Sequence, residues 1–363
     1  MPTGYWHLQT LWFGLIGVLW IGYFVLEGFD FGVGVLLPFL GRDNTDRRVI
    51  INTIGPIWDG NEVWLLTAGG ATFAAFPGWY ASLFSGFYLA LFLILLALIV
   101  RAVAFEYRAK HDTDRWRAWW DRAIFLGSAV PAFLWGVAFA NIVHGVPLNA
   151  EGNVTGNLLD LLHPYALLAG LTSLTLFTTH GAIYLTLKTK GELIERARTV
   201  AERLSVATAV LVFAFLLWTY LNAVSAHNRG IVPGVIPISA LGLAVAVPFL
   251  VRARRDGIAF LSTALAIGLM TATIFLNLYP RVLVSSTDPR FSLTIWNTSS
   301  SHYTLVVMTV VALLMTPVVL VYQSWTYYVF RHRIGRADLA PLRTPIDILR
   351  PGSGDRPATG SGE

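Results

Sequence analysis

The chain has 363 residues, of which 55% are hydrophobic and only 13% are charged, and its mean hydropathy is +0.61. A soluble domain carries about 25% charged residues, so the composition excludes an ordinary soluble protein and favours a polytopic membrane protein. The absence of cysteine excludes disulfides and thiolate metal sites. The net charge of +5 does not indicate a nucleic-acid partner, because the basic residues are spread over alternate connections of the chain.

Apolar runs of the length that a bilayer requires predict an all-α polytopic membrane protein with about nine transmembrane helices. The first run lacks a basic start and a cleavage site, so we interpret it as a retained helix rather than a signal peptide. With four or five helices in each half of the chain, the spans predict two bundles. The predicted helices cover residues 6–40, 49–76, 79–104, 123–144, 163–187, 204–224, 233–251, 258–279 and 303–330.

The basic residues indicate the orientation of these helices. Of the 26 lysines and arginines, 23 fall in alternate connections and in the tail, and only Arg229, Arg281 and Arg290 lie on the other side. The positive-inside rule then places the N-terminus outside and the C-terminus in the cytoplasm, which an odd number of helices allows. Residues 1–336 form the predicted transmembrane domain. Residues 337–363, rich in Pro, Gly and Ser, are predicted to be a disordered cytoplasmic tail.

Four carboxylates lie inside the first two predicted spans. Glu27 and Asp30 are three residues apart in the first helix, and Asp59 and Glu62 are three apart in the second, so each pair shares a helix face. Because the connection is short, we expect antiparallel neighbours with Asp30 and Asp59 at one depth, roughly 15 Å from the cytoplasmic face. The sequence therefore predicts acids that face each other near the bilayer middle, where ionisable groups are usually functional.

The two aspartates have two interpretations. Asp30 and Asp59 are either proton carriers that line a hydrated path or neutral acids that hydrogen-bond helices together. The number of acids at matched depth favours the proton path. Glu106, at the interface, is then either the cytoplasmic mouth of that path or an ordinary solvated side chain.

The neighbouring residues also leave alternatives open. Glu27 and Glu62 either extend the path one turn deeper or pair with Arg101, which forms that salt bridge or extends to the interface. Trp58 either stacks on a quinone or packs in the core. The glycines around residues 28–34 predict close helix packing, and the Gly-Pro pair at residues 55–56 predicts a kink beside the acids.

The histidines argue against haem in this chain, because two axial histidines need similar depths on facing helices. Only His180 lies well inside a predicted helix. Four others lie near the outer ends of helices: His7, His144, His163 and His302. We therefore predict no haem or metal ligand here, and the sequence has no Walker or HExxH motif that would indicate ATP-driven transport or hydrolysis.

Several runs resemble subunit II of the cytochrome bd family of quinol oxidases. The resemblance covers about residues 8–335. Its most specific part is the run Glu-Gly-Phe-Asp-Phe-Gly-Val-Gly at 27–34, in register with Trp-Asp-Gly-Asn at 58–61. The runs that carry it are 27–34, 40–48, 56–64, 68–71, 74–77, 84–88, 136–139, 145–147, 292–297 and 299–300.

The resemblance implies a complex in a prokaryotic cell membrane that oxidises quinol and reduces dioxygen to water without pumping protons. It implies a partner subunit I that carries two haems b, one haem d and the quinol-oxidising loop. This chain would be the haem-free partner that supports assembly. Small single-helix subunits, membrane lipids and a structural quinone are further expected partners, and nucleic acid is not.

The resemblance also implies roles for individual residues. Asp59 falls on the family's proton-path aspartate, Asp30 on its other intramembrane aspartate and Arg101 on a family arginine. Trp58 lies where family members can bind a structural quinone. These matches would make the acids a route for protons from the cytoplasm.

Some positions depart from the family pattern. Glu27 and Glu106 stand where relatives use aspartate, which keeps the carboxylate but changes its reach. Glu62 and His180 are not family residues, and their roles stay open. The region 219–233 is short for the family, so the resemblance does not predict the outer surface that this region forms.

Two functions from different classes fit these features. The first is the haem-free subunit of a quinol oxidase, with a carboxylate path that feeds protons from the cytoplasm. The second is a stand-alone proton- or cation-coupled transporter, which would use the same acids together with Gly and Pro interruptions. A haem-bearing partner that copurifies would favour the oxidase, and a stable colourless single chain would favour the transporter.

Overall fold

The computed structural model describes residues 5–225 and 234–339. Most of the predicted tail, and residues 226–233 of the short outer region, lie outside these residues. In the described part the chain is almost entirely helical, which confirms the predicted fold class. The helices are α1 (Tyr5–Leu40), α2 (Asn44–Ile54), α3 (Trp58–Ala75), α4 (Pro77–Gly86), α5 (Tyr88–Tyr107), α6 (Asp114–His144), α7 (Pro164–Lys188), α8 (Glu192–Ser225), α9 (Val235–Arg252), α10 (Asp256–Leu278) and α11 (His302–Val329). The strands are β1 (Arg281–Leu283) and β2 (Leu293–Thr294), which pair antiparallel.

Eight described helices are long and apolar enough to cross a membrane, namely α1 and α5 to α11. The remaining predicted span corresponds to α2 and α3, which are separated by a break at residues 55–57. The Gly-Pro pair explains this break, because proline cannot donate the backbone hydrogen bond that a continuous helix requires. The polar residues Asp59, Asn61 and Glu62 then open α3 and reduce its hydropathy.

Three predicted helices have different bounds in the structure. The predicted span at 79–104 consists of α4 and α5, which are separated at Phe87. Helices α6 and α8 begin before the predicted residues 123 and 204, in charged segments that hydropathy does not detect. At the start of α6, the Thr113 side chain accepts a hydrogen bond from Trp116 N and caps the helix. Hydropathy thus locates the lipid-spanning part of a helix and misses its polar extension.

Helix α1 is the centre of the fold and packs against α3, α6, α7 and α10. Its closest approach is to α7, where a Cβ on Gly32 would lie 2.1 Å from the carbonyl oxygen of Phe177. The predicted glycine contact is therefore present, but its partner is α7 and not the second span. Because α1 contacts helices from both halves of the chain, the division into two bundles stays a prediction.

One end of the bundle carries Leu40, Lys188, Arg196 and Arg336, and we call it the basic end. There Arg196 Nη1 donates to Leu40 O at 2.6 Å, which joins α8 to the end of α1. The segment after α11 returns along α7, with Ile334 N donating to Lys188 O at 2.8 Å. This end collects the basic connections and is the one that the sequence places in the cytoplasm.

Candidate functional site

A buried ion pair joins α5 to α1. Arg101 Nη1 donates to Glu27 Oε1, and the two side chains are 1% and 0% exposed. The guanidinium also lies 4.9 Å from the ring centroid of Phe31 and 5.5 Å from that of Phe105. These contacts hold Arg101 inside the protein, so its extension to the interface is the wrong alternative and the salt bridge is the correct one.

Asp30 lies one turn further along α1 and is also fully buried. Asn61 of α3 donates from Nδ2 to Asp30 Oδ2 at 2.7 Å. A neutral amide donor fixes the carboxyl group without supplying a positive charge. Sequence reasoning did not single out Asn61, although a strongly polar amide among lipid-spanning residues was an available signal.

Glu27, Asp30 and Glu62 all interact electrostatically with the same cation, Arg101. We call these four side chains, together with Asn61, the acid site. The site has three acids for one permanent positive charge, and its members come from α1, α3 and α5. Transfer of uncompensated charge into a low-dielectric interior is very costly. If all three acids were ionised, Arg101 would therefore leave two negative charges of this site unbalanced.

The acid site also contains polar atoms that lack a hydrogen-bond partner among the described residues. They are Glu27 Oε2, Asp30 Oδ1, and Nε and Nη2 of Arg101. On α6, Ser128 Oγ is likewise buried and without such a partner. Buried polar atoms of this kind are normally satisfied by internal water. The arrangement thus has the chemistry to bind water beside two carboxyl groups.

Asp59 differs from the other acids. It is exposed on the surface of this chain, and its Oδ1 accepts from Gly60 N at 2.8 Å. The prediction that Asp30 and Asp59 face each other is wrong in this chain, because the break before α3 turns Asn61 and not Asp59 towards α1. Asp59 still lies within electrostatic range of Asp30. Glu62 is intermediate in exposure, between the buried Glu27 and Asp30 and the exposed Asp59.

The remaining predicted residues lie around this site. Trp58 is half-buried, with its ring centroid 5.2 Å from that of Phe105, so it joins the aromatic wall beside Arg101. Glu106 is exposed near the end of α5, towards the basic end. The structure does not bring Glu106 into the acid site, and both residues keep their roles as predictions.

His180 is a buried residue whose two ring nitrogens both have partners. Nε2 lies 3.2 Å from Val25 O and Nδ1 lies 2.6 Å from Thr263 Oγ1. The ring stacks on Phe260 with centroids 4.4 Å apart. A neutral imidazole that donates from Nε2 and accepts at Nδ1 satisfies both contacts. Neither nitrogen is therefore available for an axial haem bond, and His180 joins α1, α7 and α10.

The outer histidines do not fit haem either. His163 Nδ1 accepts from Ala166 N at 3.4 Å and caps α7, while Nε2 lies 3.2 Å from Asn141 Oδ1. The adjacent His144 ring is 4.5 Å away at the exposed end of α6. Burial, and to a smaller degree His144, lower the pKa of His163, which favours its neutral form. Among the described residues, the histidines provide no facing pair at membrane depth.

A second set of acids lies at the basic end. Asp46 is 2% exposed and accepts from Arg196 Nη2 at 2.7 Å and from Arg336 Nε at 2.9 Å. Asp43 accepts from Asp46 N and from Arg336, and the pKa of Asp43 is lowered first by this backbone bond and then by Arg336. Asp121 of α6 is bound by two other arginines. These acids are paired with cations and attach α2 and the segment after α11 to the bundle.

Comparison with known proteins agrees with this architecture. The family model described as cytochrome bd terminal oxidase subunit II matches residues 8–330. The chain is 43% identical to the cytochrome bd ubiquinol oxidase subunit 2 of Bacillus subtilis (strain 168), over 91% of this chain and 98% of that protein. It is 40% identical to the cytochrome bd-I ubiquinol oxidase subunit 2 of Escherichia coli (strain K12), over 92% of this chain and 96% of that protein.

A solved structure shows a similar fold. A chain of the bd oxidase from Geobacillus thermodenitrificans aligns with a TM-score of 0.71, covering 89% of this chain and 98% of that one. At 17% identity this likeness concerns the fold alone. The sequence matches extend over nearly the whole chain and include the helices that build the acid site. The chain therefore belongs to the cytochrome bd terminal oxidase subunit II family.

Proposed function

We propose that this chain is the haem-free subunit of a quinol:dioxygen oxidoreductase and that its acid site carries protons from the cytoplasm towards the oxygen-reducing centre. As a family member the chain is a multi-pass protein of the bacterial plasma membrane and a subunit of an oxidoreductase complex. The stand-alone transporter has no comparable support, because the relatives carry names of oxidase subunits over nearly their full lengths.

The observation that carries this proposal is the excess of acids over cations at membrane depth. Arg101 balances one of the three carboxyl groups that surround it, so the others approach neutrality by binding protons. A group that binds protons and contacts water can pass them on. A purely structural ion pair would need Glu27 and Arg101 alone, and would not need Asp30 or Glu62.

The geometry supports a route from the basic end inward. Asp30 lies closer than Glu27 to the end of α1 at Leu40, so a proton from that side meets Asp30 first. Oδ1 of Asp30 and Oε2 of Glu27 are both free to bind water. Waters between these atoms would connect the two carboxyl groups one helical turn apart. Glu106 is the proposed mouth of the route, since it is exposed on α5 on that side.

The route would leave this chain through α3. Asp59 is exposed there, and a carboxyl group that faced lipid at this depth would be costly. Gly69 and Gly70 on the same helix have open space where a Cβ would lie, which permits close approach of another helix. We therefore assign this surface to the partner subunit I. In this arrangement Asp59 passes protons across the subunit interface.

The proposal places two haems b, one haem d and the quinol-oxidising loop on subunit I, where they supply the oxygen chemistry. The histidines among residues 5–225 and 234–339 have their ring nitrogens engaged or lie at the surface, which supports that division. With protons taken from the cytoplasm and released by quinol outside, turnover would be electrogenic without pumping. We further propose that a structural quinone binds beside Trp58 and that small single-helix subunits and membrane lipids are additional partners. Residues 337–363 are the proposed cytoplasmic tail.

Neutral substitution at the two aspartates tests the proton route. We expect the Asp30→Asn and Asp59→Asn complexes to keep their haem spectra and to lose oxygen consumption by about tenfold or more, since proton-transfer groups contribute on that scale. Asp112→Asn, in the exposed connection before α6, is the matched control. Unchanged oxygen consumption in both variants would contradict the proton role and would leave the family assignment intact.

A further inference from the structure

Helix α11 is barely buried in this chain, with Leu305 as its one buried residue. Near its C-terminal end, however, two side chains turn inward to the acid site. Tyr327 Oη donates to Asn61 Oδ1 at 2.7 Å, and Gln323 Nε2 lies 3.4 Å from the same oxygen. Gln323 and Tyr327 are four residues apart and so share one face of the helix. This polar contact is therefore a specific connection in an otherwise apolar and exposed helix.

The direction of every hydrogen bond in this chain of contacts follows from one residue. The indole of Trp64 can only donate, and its Nε1 lies 2.9 Å from Gln323 Oε1. The oxygen of Gln323 therefore accepts, and its amide nitrogen faces Asn61 Oδ1. The oxygen of Asn61 accepts in turn, and its Nδ2 faces Asp30 Oδ2 at 2.7 Å. Trp64, acting through Gln323, thus determines which end of the Asn61 amide meets Asp30, and Tyr327 adds a second, shorter hydrogen bond that holds the Asn61 oxygen in place.

We propose that Tyr327 is a positioning residue of the proton route, which holds the Asn61 amide so that Asp30 always receives a hydrogen bond at Oδ2. This inference rests on the proposed function of Asp30. The hydroxyl of Tyr327 hydrogen-bonds to Asn61, and Asn61 in turn hydrogen-bonds to Asp30, so Tyr327 acts on Asp30 through Asn61. Its consequence is that one oxygen of Asp30 is fixed by α3 while the other stays free for water.

The hydrogen bond matters because of what else faces Asp30. The charged and titratable groups around it are Glu27 on its own helix, Arg101 on α5, Asp59 and Glu62 on α3, Tyr184 on α7 and Tyr327 on α11. Tyr184 is engaged elsewhere, since its hydroxyl donates to Thr53 O at 2.8 Å. The hydrogen-bond donor to Asp30 is therefore the neutral amide of Asn61 and not one of these charged or titratable groups. A donor to a carboxyl oxygen favours the charged form, so its loss makes proton release harder.

Tyr327→Phe removes the hydroxyl and keeps the ring. We expect the assembled complex to keep its haem spectrum and its KM for quinol. The alkaline limb of the pH profile of kcat should move to higher pH by about half to one unit, the effect of one ordinary hydrogen bond. The adjacent Tyr328→Phe is the matched control, because Tyr328 is 63% exposed and contacts Arg331 through its ring. Its profile should match that of the wild type.

A double variant separates positioning from general stability. Asn61→Leu should move the profile in the same direction as Tyr327→Phe, and the combined variant should move it no further, because Tyr327 acts through Asn61. Additive shifts, an unmoved profile in Tyr327→Phe, or loss of its haem spectrum would each overturn the inference. If Asp30→Asn is inactive but Tyr327→Phe keeps the wild-type profile, this inference alone fails. If Asp30→Asn has wild-type turnover, the proposed function fails first.

Discussion

The acid site and the basic end both contain buried carboxylates, but they differ in the number of cations. At the basic end, Asp46 and Asp121 each bind two arginines through both carboxylate oxygens. In the acid site one guanidinium faces three acids, and the direct partner of Asp30 is a neutral amide. Ion pairs of the first kind attach segments of the chain to each other. An incomplete set of cations is instead what a site that stores protons requires.

The difference also appears in hydrogen bonding. At the basic end, both oxygens of Asp46 and of Asp121 have donors. In the acid site one oxygen each of Glu27 and Asp30 has no partner in the described part of the chain, and neither do two nitrogens of Arg101. Stability alone would favour a donor for every buried carboxylate oxygen, as at the basic end, where Arg196 Nε is the unpaired atom of the Asp46 contacts. In the acid site, by contrast, both buried carboxyl groups keep an oxygen to which water could bind.

We expect the largest loss of stability when Arg101, the one cation among the residues of the acid site, is removed. Arg101→Met leaves Glu27 as an uncompensated buried acid, and we expect a loss of stability of about 3–5 kcal/mol. The complex should then fail to accumulate, as measured by haem content and thermal unfolding of purified membranes. The double variant Glu27→Gln/Arg101→Met should recover much of the stability, since it removes both members of the pair. A single variant of wild-type stability would contradict the importance of this pair.

The second prediction contrasts one aspartate from each region. Asp30→Asn should leave the melting temperature nearly unchanged and reduce turnover strongly. Asp121→Asn should do the opposite, with a loss of about 3 kcal/mol because Arg47 and Arg108 lose their shared partner. Turnover per assembled haem should stay normal in Asp121→Asn. The paired measurements are thermal unfolding and oxygen consumption, and the same pattern in both variants would remove the distinction between the regions.

Substitution of Asp46 should cause a loss of stability of intermediate size. Asp46→Asn weakens the bonds from Arg196 and Arg336, which join α8 and the segment after α11 to α2. We expect destabilisation of about 1–3 kcal/mol, the cost of weakened bonds between charged groups. Faster proteolysis near residues 331–339 should accompany it, with oxygen consumption unaffected. Asp338→Asn, which removes an exposed pair with Lys190, is the control and should have little effect.

The smallest expected effect is the pH response of the Asp43–Arg336 contact. The pKa of Asp43 is lowered in the folded chain. The ionised carboxylate therefore contributes its full stabilisation of the fold above its ordinary pKa of about 3.9, and this stabilisation is lost as the pH falls through the lowered pKa. Amide hydrogen exchange at Ile334 should therefore be steady from about pH 8 to pH 5, after correction for intrinsic rates. Protection should fall only below about pH 4. Loss of protection on raising the pH would contradict this assignment.

Much of the fold followed from local features of the sequence. Apolar runs located the spans, and the Gly-Pro pair predicted a kink at the place where the structure has a break between α2 and α3. The family motifs at 27–34 and 56–64 also identified two of the three helices that build the acid site, α1 and α3. The charged beginnings of α6 and α8 were missed, because lipid burial does not determine where a helix outside the membrane starts. The prediction joined α4 and α5 into one span at 79–104, although Gly86 is the last residue of α4.

The details of the site depended on contacts between distant residues. Sequence reasoning left open whether Arg101 forms a salt bridge or extends to the interface, because its partner Glu27 is 74 residues away along the chain. It expected Asp59 to face Asp30, but the break before α3 set the rotation of that helix. It did not find Tyr327, which is separated from Asn61 by 266 residues. The signal was a pair of polar residues four apart on a highly apolar helix.

Proton uptake by the reconstituted complex tests the central claim most directly. The complex would be placed in liposomes, given quinol and a pulse of oxygen, and followed by a pH dye on the cytoplasmic side. We predict rapid uptake in the wild type and in Asp112→Asn, and uptake slowed about tenfold or more in Asp30→Asn with its haem spectrum intact. Uptake at the wild-type rate in Asp30→Asn would contradict the claim that the acid site of this chain carries the protons.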